Sequence, residues 1–299
     1  MQFLDEETVR SLLTYEALIP AIERALIHLS LGKTQQPVRS ILRIADHEGF
    51  FAVMPAVDGD LMGVKLVTFY ERNRTLPTHQ AVIQLLSAET GEPLIAMDGR
   101  LITEMRTAAV SAIATRLFAP KNAQSLAILG SGVQAGSHLR ALRLVRDFRE
   151  IRVWSRTPEH ARTFASEFGL THVESPEKAI RGADVVISVA ATREPLFHGE
   201  WLGDNSFVCA VAVVTPDRRE LDDTAMNASI VVESREAALR ESGDLIGSGQ
   251  PVYAEIGEIL AEKRDLPTCR VVFKSLGVAA CDLAAAAVVW KNWQSRVNP

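Results

Sequence analysis

Several charged residues stand in apolar company and raise the question of what they face. Lys65 sits inside GVKLVTF, and a lysine in a strand-like apolar run either carries its ammonium outward, as at a sheet edge, or meets something anionic. Arg106, in TEMRTAAVSAIATR, falls in the first turn of a helix that Thr103 is expected to cap. The macrodipole disfavours a cation there, and a bound anion would offset that. Arg43, in ILRIAD, lies on a strand with Leu42 and Ile44 on the alternate face, so solvent exposure is its simplest reading. Asp217, in TPDRRELDD, follows an apolar strand and is either a Pro-Asp turn residue or an acid at the ligand-binding edge of a sheet. His79, in LPTHQA, can donate a hydrogen bond or simply close a loop.

A second constellation is Gly130, Gly132 and Ala135 in LAILGSGVQAGSH, which fits GxGxxA between a strand and a helix. Gly130 suits the tight turn, Gly132 lets backbone approach a pyrophosphate, and Ala135 is small enough for the helix to pack on the strand. The helix start offers unpaired N–H groups and partial positive charge to phosphates. About 20 residues further on, an acid would accept from the ribose 2′-OH of NAD and repel the 2′-phosphate of NADP. IRVWSRT instead offers Ser155, Arg156 and Thr157. Two hydroxyls and a guanidinium suit a 2′-phosphate, so NADP(H) is the expected cofactor, with NAD(H) possible. Arg156 read blandly is a solvated arginine at a strand end.

The elements that would position these residues follow from periodicity. Apolar spacing predicts two helices over Leu4 to Leu31, the second starting at Pro20, then an antiparallel sheet from Val38 to Phe69 with further strands at Ala81 to Ser87 and Leu94 to Met97. From Ser125 strands and helices alternate: strands at Ser125 to Leu129, Ile151 to Trp154, Asp184 to Ala190 and Ser206 to Val214, and helices at Ser137 to Arg146 and Pro158 to Phe168. The expected fold class is α/β, a Rossmann-type doubly wound parallel sheet beside an α+β substrate and dimerisation domain. The expected domains are 1–116, completed by an apolar terminal helix over 279–299, and 117–278.

Composition narrows the partners. The 299 residues are 47% hydrophobic and 23% charged, with a net charge of -5 and no basic run, which argues against nucleic acid. MQFLDEETVR has no apolar signal-like core, and LGVAACDLAAAAVVW is interrupted by Asp282 and too short to span a bilayer comfortably. Cys209, Cys269 and Cys281 read as reduced core residues of a cytoplasmic protein, with no metal site expected.

GVKLVTFYERNRTLPTHQA, MDGRLITEMRTAAVSAIATRLFAP, LAILGSGVQAGSH, IRVWSRT, PDRRELDD, SREAALRESGD and VFKSLGV resemble the ornithine cyclodeaminase/mu-crystallin family, its mu-crystallin side more than its cyclodeaminases. The resemblance covers nearly the whole chain. It implies a homodimer whose first domain forms the interface and the substrate site, and NADPH-dependent reduction of cyclic ketimine carboxylates such as pyrroline-2-carboxylate, piperideine-2-carboxylate or thia-analogues. It implies that Arg43, Lys65 and Arg106 hold the substrate carboxylate, that Asp217 is the acid near the substrate nitrogen, and that Phe69, Thr78 and His79 line the pocket. Lys65 and Asp217 are the expected catalytic pair. Arg106, Thr107, Gly130, Ser131, Gly132, Val133, Gln134, Ser155, Arg156, Thr157, Val189 and Ala212 are the expected cofactor contacts. In one respect the chain departs from the family, having Ala212 and Val213 in AVAVVTPD where a Gly is usual. The extra bulk bears on the nicotinamide pocket and on ring-size preference. The alternatives are an NAD-dependent ornithine cyclodeaminase, an amino acid dehydrogenase and a non-enzymatic small-molecule binding protein.

Overall fold

The computed structural model describes residues 2–196 and 198–297. The chain divides into two units, Met1–Ala109 with Gly277–Pro299 and Val110–Leu276. The first runs β1 (Phe3–Leu4), α1 (Glu6–Leu12), α2 (Tyr15–Ser30), β2 (Ser40–Ile44), β3 (Gly49–Asp58), β4 (Leu61–Tyr70), β5 (His79–Ser87), β6 (Pro93–Asp98) and the start of α3 (Arg100–Phe118). The second holds β7 (Ser125–Leu129), α4 (Val133–Leu142), β8 (Glu150–Trp154), α5 (Pro158–Phe168), β9 (Thr171–His172), α6 (Pro176–Ile180), β10 (Val185–Ser188) and β11 (Phe207–Ala210). It continues with α7 (Asp223–Met226), β12 (Ser229–Val232), α8 (Arg235–Glu241), α9 (Gly243–Ser248), β13 (Val252–Glu255), α10 (Ile256–Leu260) and β14 (Val271–Lys274), after which α11 (Ala279–Val297) belongs to the first unit.

In the first unit a six-stranded sheet has the order β1-β6-β5-β4-β3-β2, antiparallel except where β1 lies parallel to β6. Period-two alternation divides its faces. Met54, Lys65, Ile83 and Met97 form one cross-strand row, all buried. α11 covers this face, with Leu283 close enough to Gly63 that an added Cβ would meet it at 3.1 Å. On the opposite face Leu42, Leu66 and Val82 are exposed.

The helix starts differ from expectation at two places. α2 begins at Tyr15, where the Thr14 hydroxyl accepts from Ala17 N–H, so Pro20 lies inside the helix rather than opening it. α3 begins at Arg100, whose N–H donates to Asp98. Thr103 is therefore internal, its hydroxyl donating back to Gly99 O at 2.7 Å. Arg106 consequently falls in the second turn, where the macrodipole no longer decides its environment.

The second unit is a parallel eight-stranded sheet, β13-β12-β14-β11-β10-β7-β8-β9. Its central strands are continuous apolar runs, as burial on both faces demands. From β7 the order runs outward through β8 and β9 on one side and β10 and β11 on the other, so β7 and β10 flank the switch point where ligands bind in such sheets. β10 and β11 are shorter than expected, ending at Ser188 and Ala210. Cys209 and Cys281 are buried, but Cys269 is exposed beside Ser229, a correction to its reading as core. Among the described residues no helix is long and apolar enough to cross a membrane, and no group of three His, Cys, Asp or Glu could hold a metal.

Candidate active site

The first unit buries a cluster of opposite charges. Lys65, 2% exposed on β4, donates to Asp282 Oδ1 on α11 at 3.0 Å, and Arg106 Nε on α3 donates to the same oxygen at 3.0 Å. Asp282 Oδ2 is buried and has no hydrogen-bond partner among the described residues. Burial would raise the Asp282 pKa, yet the Arg106 and Lys65 charges hold it below the usual carboxylate range. Burial, helped by Arg106 and Arg39, pulls Lys65 down to about 8 although Asp282 opposes the shift. Burial first, then the Lys65 and Arg106 charges, push His79 down to about 4, so its imidazole is neutral at pH 7.

Arg106 is seated by backbone. Gly277, at φ 73°, lies so close to the guanidinium that a Cβ there would come within 2.5 Å of Nη1. Arg39 Nη2 donates to Gly277 O at 2.7 Å, which brings Arg39 to the same place.

Arg39, not Arg43, is therefore the second arginine of the cluster. β2 and β3 pair Arg43 with Phe50, which pairs with Phe69 and then His79, whereas Lys65 pairs with Met54 next to the Ser40–Val53 pair. Arg43 has the right alternation phase but lies four residues, about 13 Å, along the strand from Arg39. It is exposed and makes no ion pair among the described residues. Phe69 stacks on Phe50 with centroids 5.6 Å apart, in the same row as His79. The Thr78 side chain is exposed on the β4–β5 loop, with its carbonyl accepting from Tyr70 N–H. Thr107 is buried and donates to Thr103 O at 2.7 Å. Asp282 and Gly277 are site residues that motif reasoning missed; the available signal was a lone acid inside an apolar helix.

In the second unit the glycine turn has the geometry a pyrophosphate needs. Gly130 takes φ 125°, and a Cβ there would meet the Val189 side chain at 3.0 Å. Gly132 is the N-cap of α4 with no side-chain cap and open space where a Cβ would stand. The first-turn N–H groups around Val133 and Gln134 thus have no capping side chain. Ser131 is half-buried beside them, Gln134 Oε1 is buried without a partner, and Ala135 is fully buried against the sheet. These residues fit a dinucleotide.

At the end of β8, Ser155 is buried and donates to Thr157 O at 2.8 Å, so its proton is already engaged. Arg156 is exposed and makes no ion pair among the described residues, and Thr157 caps α5 without using its hydroxyl for the cap. Ala212 is half-buried two residues past β11, just after Val211, whose N–H donates to Ser188 O of β10 at 3.0 Å. Asp217 is exposed on the loop that follows, seven residues past the end of β11.

A parallel sheet with a dinucleotide turn at its switch point, joined in one chain to a mixed-sheet unit holding a buried cation cluster, defines a two-domain α/β protein of the Rossmann class. The chain belongs to the ornithine cyclodeaminase/mu-crystallin family, whose pattern it matches over residues 1–297. It is 44% identical over 305 residues to a Mus musculus protein named ketimine reductase mu-crystallin, covering 98% of this chain and 97% of that one. Its fold superposes with a TM-score of 0.94 on Thermococcus litoralis Delta(1)-pyrroline-2-carboxylate reductase in complex with NADH and L-proline, at 33% identity over 99% and 98% of the two chains. An archaeal alanine dehydrogenase dimer with bound NAD gives a TM-score of 0.93 at 31% identity over 99% and 97%.

Proposed function

We propose that this protein reduces the C=N bond of cyclic ketimine carboxylates to cyclic amino acids with a nicotinamide dinucleotide, preferring NADPH. The observation that carries this reading is Lys65, whose buried ammonium has three N–H donors and, among the described residues, a single acceptor, Asp282, leaving donors for a substrate carboxylate. Arg106 and Arg39 extend the donor set within the same unit, and a carboxylate met by several cations is oriented and kept ionised. Neutral His79 and the Phe50–Phe69 stack supply a less polar wall for the ring. Asp217 is the acid assigned to the substrate nitrogen. A ketimine must be protonated to accept hydride well, and a carboxylate stabilises that iminium and can relay the proton. The bound dinucleotide supplies the hydride.

The exposed Arg156 and the unused Thr157 hydroxyl support the choice of NADPH over NADH. Ser155 contributes less than its position promises, because its proton is engaged. The open sheet face carrying Leu42, Leu66 and Val82 supports a homodimer. Purified protein mixed with NADPH and pyrroline- or piperideine-2-carboxylate should consume the cofactor, read as loss of its absorbance. No consumption, together with ammonia released from ornithine and NAD, would sink the reductase reading.

A further inference from the structure

The second unit contains three fully buried charges that the proposed reaction does not use directly. Lys274 Nζ, at the end of β14, pairs with Glu220 Oε1 and, at 2.9 Å, with Asp244 Oδ2. All three side chains are 0% exposed. Burying such a group is a poor way to gain stability, since well-packed apolar residues of similar volume commonly do as well or better. What the charges touch is more informative.

Residues 211–220 carry no helix or strand, and Asp217 lies within them. Near one end, Val213 N–H donates to Glu220 Oε1 at 3.3 Å. At the other, the N–H groups of Glu220 and Leu221 both donate to Asp244 Oδ1, at 2.9 and 3.0 Å. Ser188 Oγ, at the end of β10, donates to Glu220 Oε2 at 2.7 Å. Both ends of the loop are thus fastened to one buried centre, which is itself anchored to β10 and β14. The middle of the loop has a seat. Gly243 N–H donates to Thr215 O at 3.2 Å, and a Cβ on Gly243 would stand 2.0 Å from Arg218 O and 3.0 Å from Pro216 O. Asp217 is the residue between those two carbonyls.

We propose that Lys274, Glu220 and Asp244 form a positioning cluster that, with Gly243 as its seat, fixes the 213–221 loop and so the direction of the Asp217 carboxylate. The inference rests on the reading of Asp217 as the acid at the substrate nitrogen. Hydrogen bonds to both ends of the loop fix its register and its orientation, which apolar packing alone would leave free to slide.

The test is a double-mutant cycle on the full-length protein with NADPH and piperideine-2-carboxylate. Glu220→Gln keeps the shape and the acceptor for Val213 but weakens the tie to Lys274. It should lower kcat about 10- to 100-fold, the size expected when a reacting group is misplaced by about 1 Å. KM for the imine, and NADPH affinity measured by fluorescence without substrate, should change less than about twofold. In an Asp217→Asn background the same substitution should cost almost nothing more, because there is no carboxylate left to aim. Hydrogen exchange of the 211–221 amides in the substrate-free protein should accelerate. If Glu220→Gln does not fold, Gly243→Ala strains the seat of the loop without removing any charge and should give the same kinetic pattern. A normal loss in Asp217→Asn with fully multiplicative double mutants would overturn the positioning cluster alone. Full turnover in Asp217→Asn would overturn the acid assignment, and the purpose of the cluster with it.

Discussion

Alkaline pH should loosen the grip on substrate while leaving the fold, as far as Lys65 is concerned, more secure. Burial first, then Arg106 and Arg39, bring Lys65 from 10.5 down to about 8. At pH 7 roughly 90% of an amine with that pKa is protonated, and at pH 9 roughly 10%. If only the ammonium holds the carboxylate, kcat/KM should fall on the order of tenfold between these values, through KM, with an apparent pKa near 8. The stability effect has the opposite sign. The unfolded chain holds this proton up to 10.5 and the folded chain only to about 8, so between those values the unfolded state binds more protons and stability rises with pH. The whole shift amounts to about 3 kcal/mol, gained as pH rises through that window and absent below it. The assay is kcat/KM against pH for the wild type and two variants. Lys65→Arg should lose the alkaline limb, even at a lower overall rate, because a guanidinium stays charged throughout. Asp282→Asn should move the limb to lower pH, because it removes the charge and the acceptor that favour protonated Lys65. Deprotonation of the imine itself would give a limb that survives Lys65→Arg. A limb unchanged in Lys65→Arg, or one moved upward in Asp282→Asn, would refute the assignment.

Arg156→Asp should shift the NADPH to NADH preference by on the order of 10- to 100-fold, the worth of one charge-assisted hydrogen bond, read as the ratio of the two kcat/KM values; an unchanged ratio removes the argument for a 2′-phosphate. Gly277→Ala places a Cβ 2.5 Å from Arg106 Nη1 and puts a side chain at φ 73°, so KM for the imine should rise while dinucleotide affinity stays constant; backbone strain alone contributes about 1 kcal/mol, visible as a lowered Tm. Leu66→Lys, on the open sheet face, should halve the mass seen by sedimentation if that face forms the homodimer, and an unchanged mass would place the interface elsewhere.

Local chemistry was legible where neighbouring residues determine it. The glycine turn, the β8 strand and the β10 to β11 alternation are set by spacing and apolar runs, and the structure has them within a few residues. Helix starts are less legible, because Pro20 and Thr103 are permitted at a helix start but not confined to it, while the Thr14 hydroxyl and the Asp98 carboxylate accept from the first N–H groups of α2 and α3. Arg39 was missed for a reason of register. It shares its alternation phase with Arg43, and only strand pairing tells which of them lies near Lys65. Asp282 was visible as an interruption in an apolar helix, but its partners stand 217 and 176 residues away. No periodicity links positions so distant.

The two buried ion clusters show why charge in a core does not have a single meaning. In the first unit Asp282 is met by Lys65 and Arg106 through one oxygen, its other oxygen has no hydrogen-bond partner among the described residues, and Lys65 keeps donors in reserve. In the second unit Lys274 stands between two carboxylates, and the oxygens of Glu220 are claimed by Val213, Ser188 and Lys274. Burial raises the Glu220 pKa despite Lys274, while the two carboxylates hold the Lys274 pKa up against burial. The first arrangement has capacity left over and suits a ligand that arrives and leaves. The second is closed on itself, and its bonds end on loop backbone. A ligand carboxylate would therefore stabilise the first cluster and leave the second unaffected, which is the division of labour expected if one binds the substrate and the other aims the acid that acts on it.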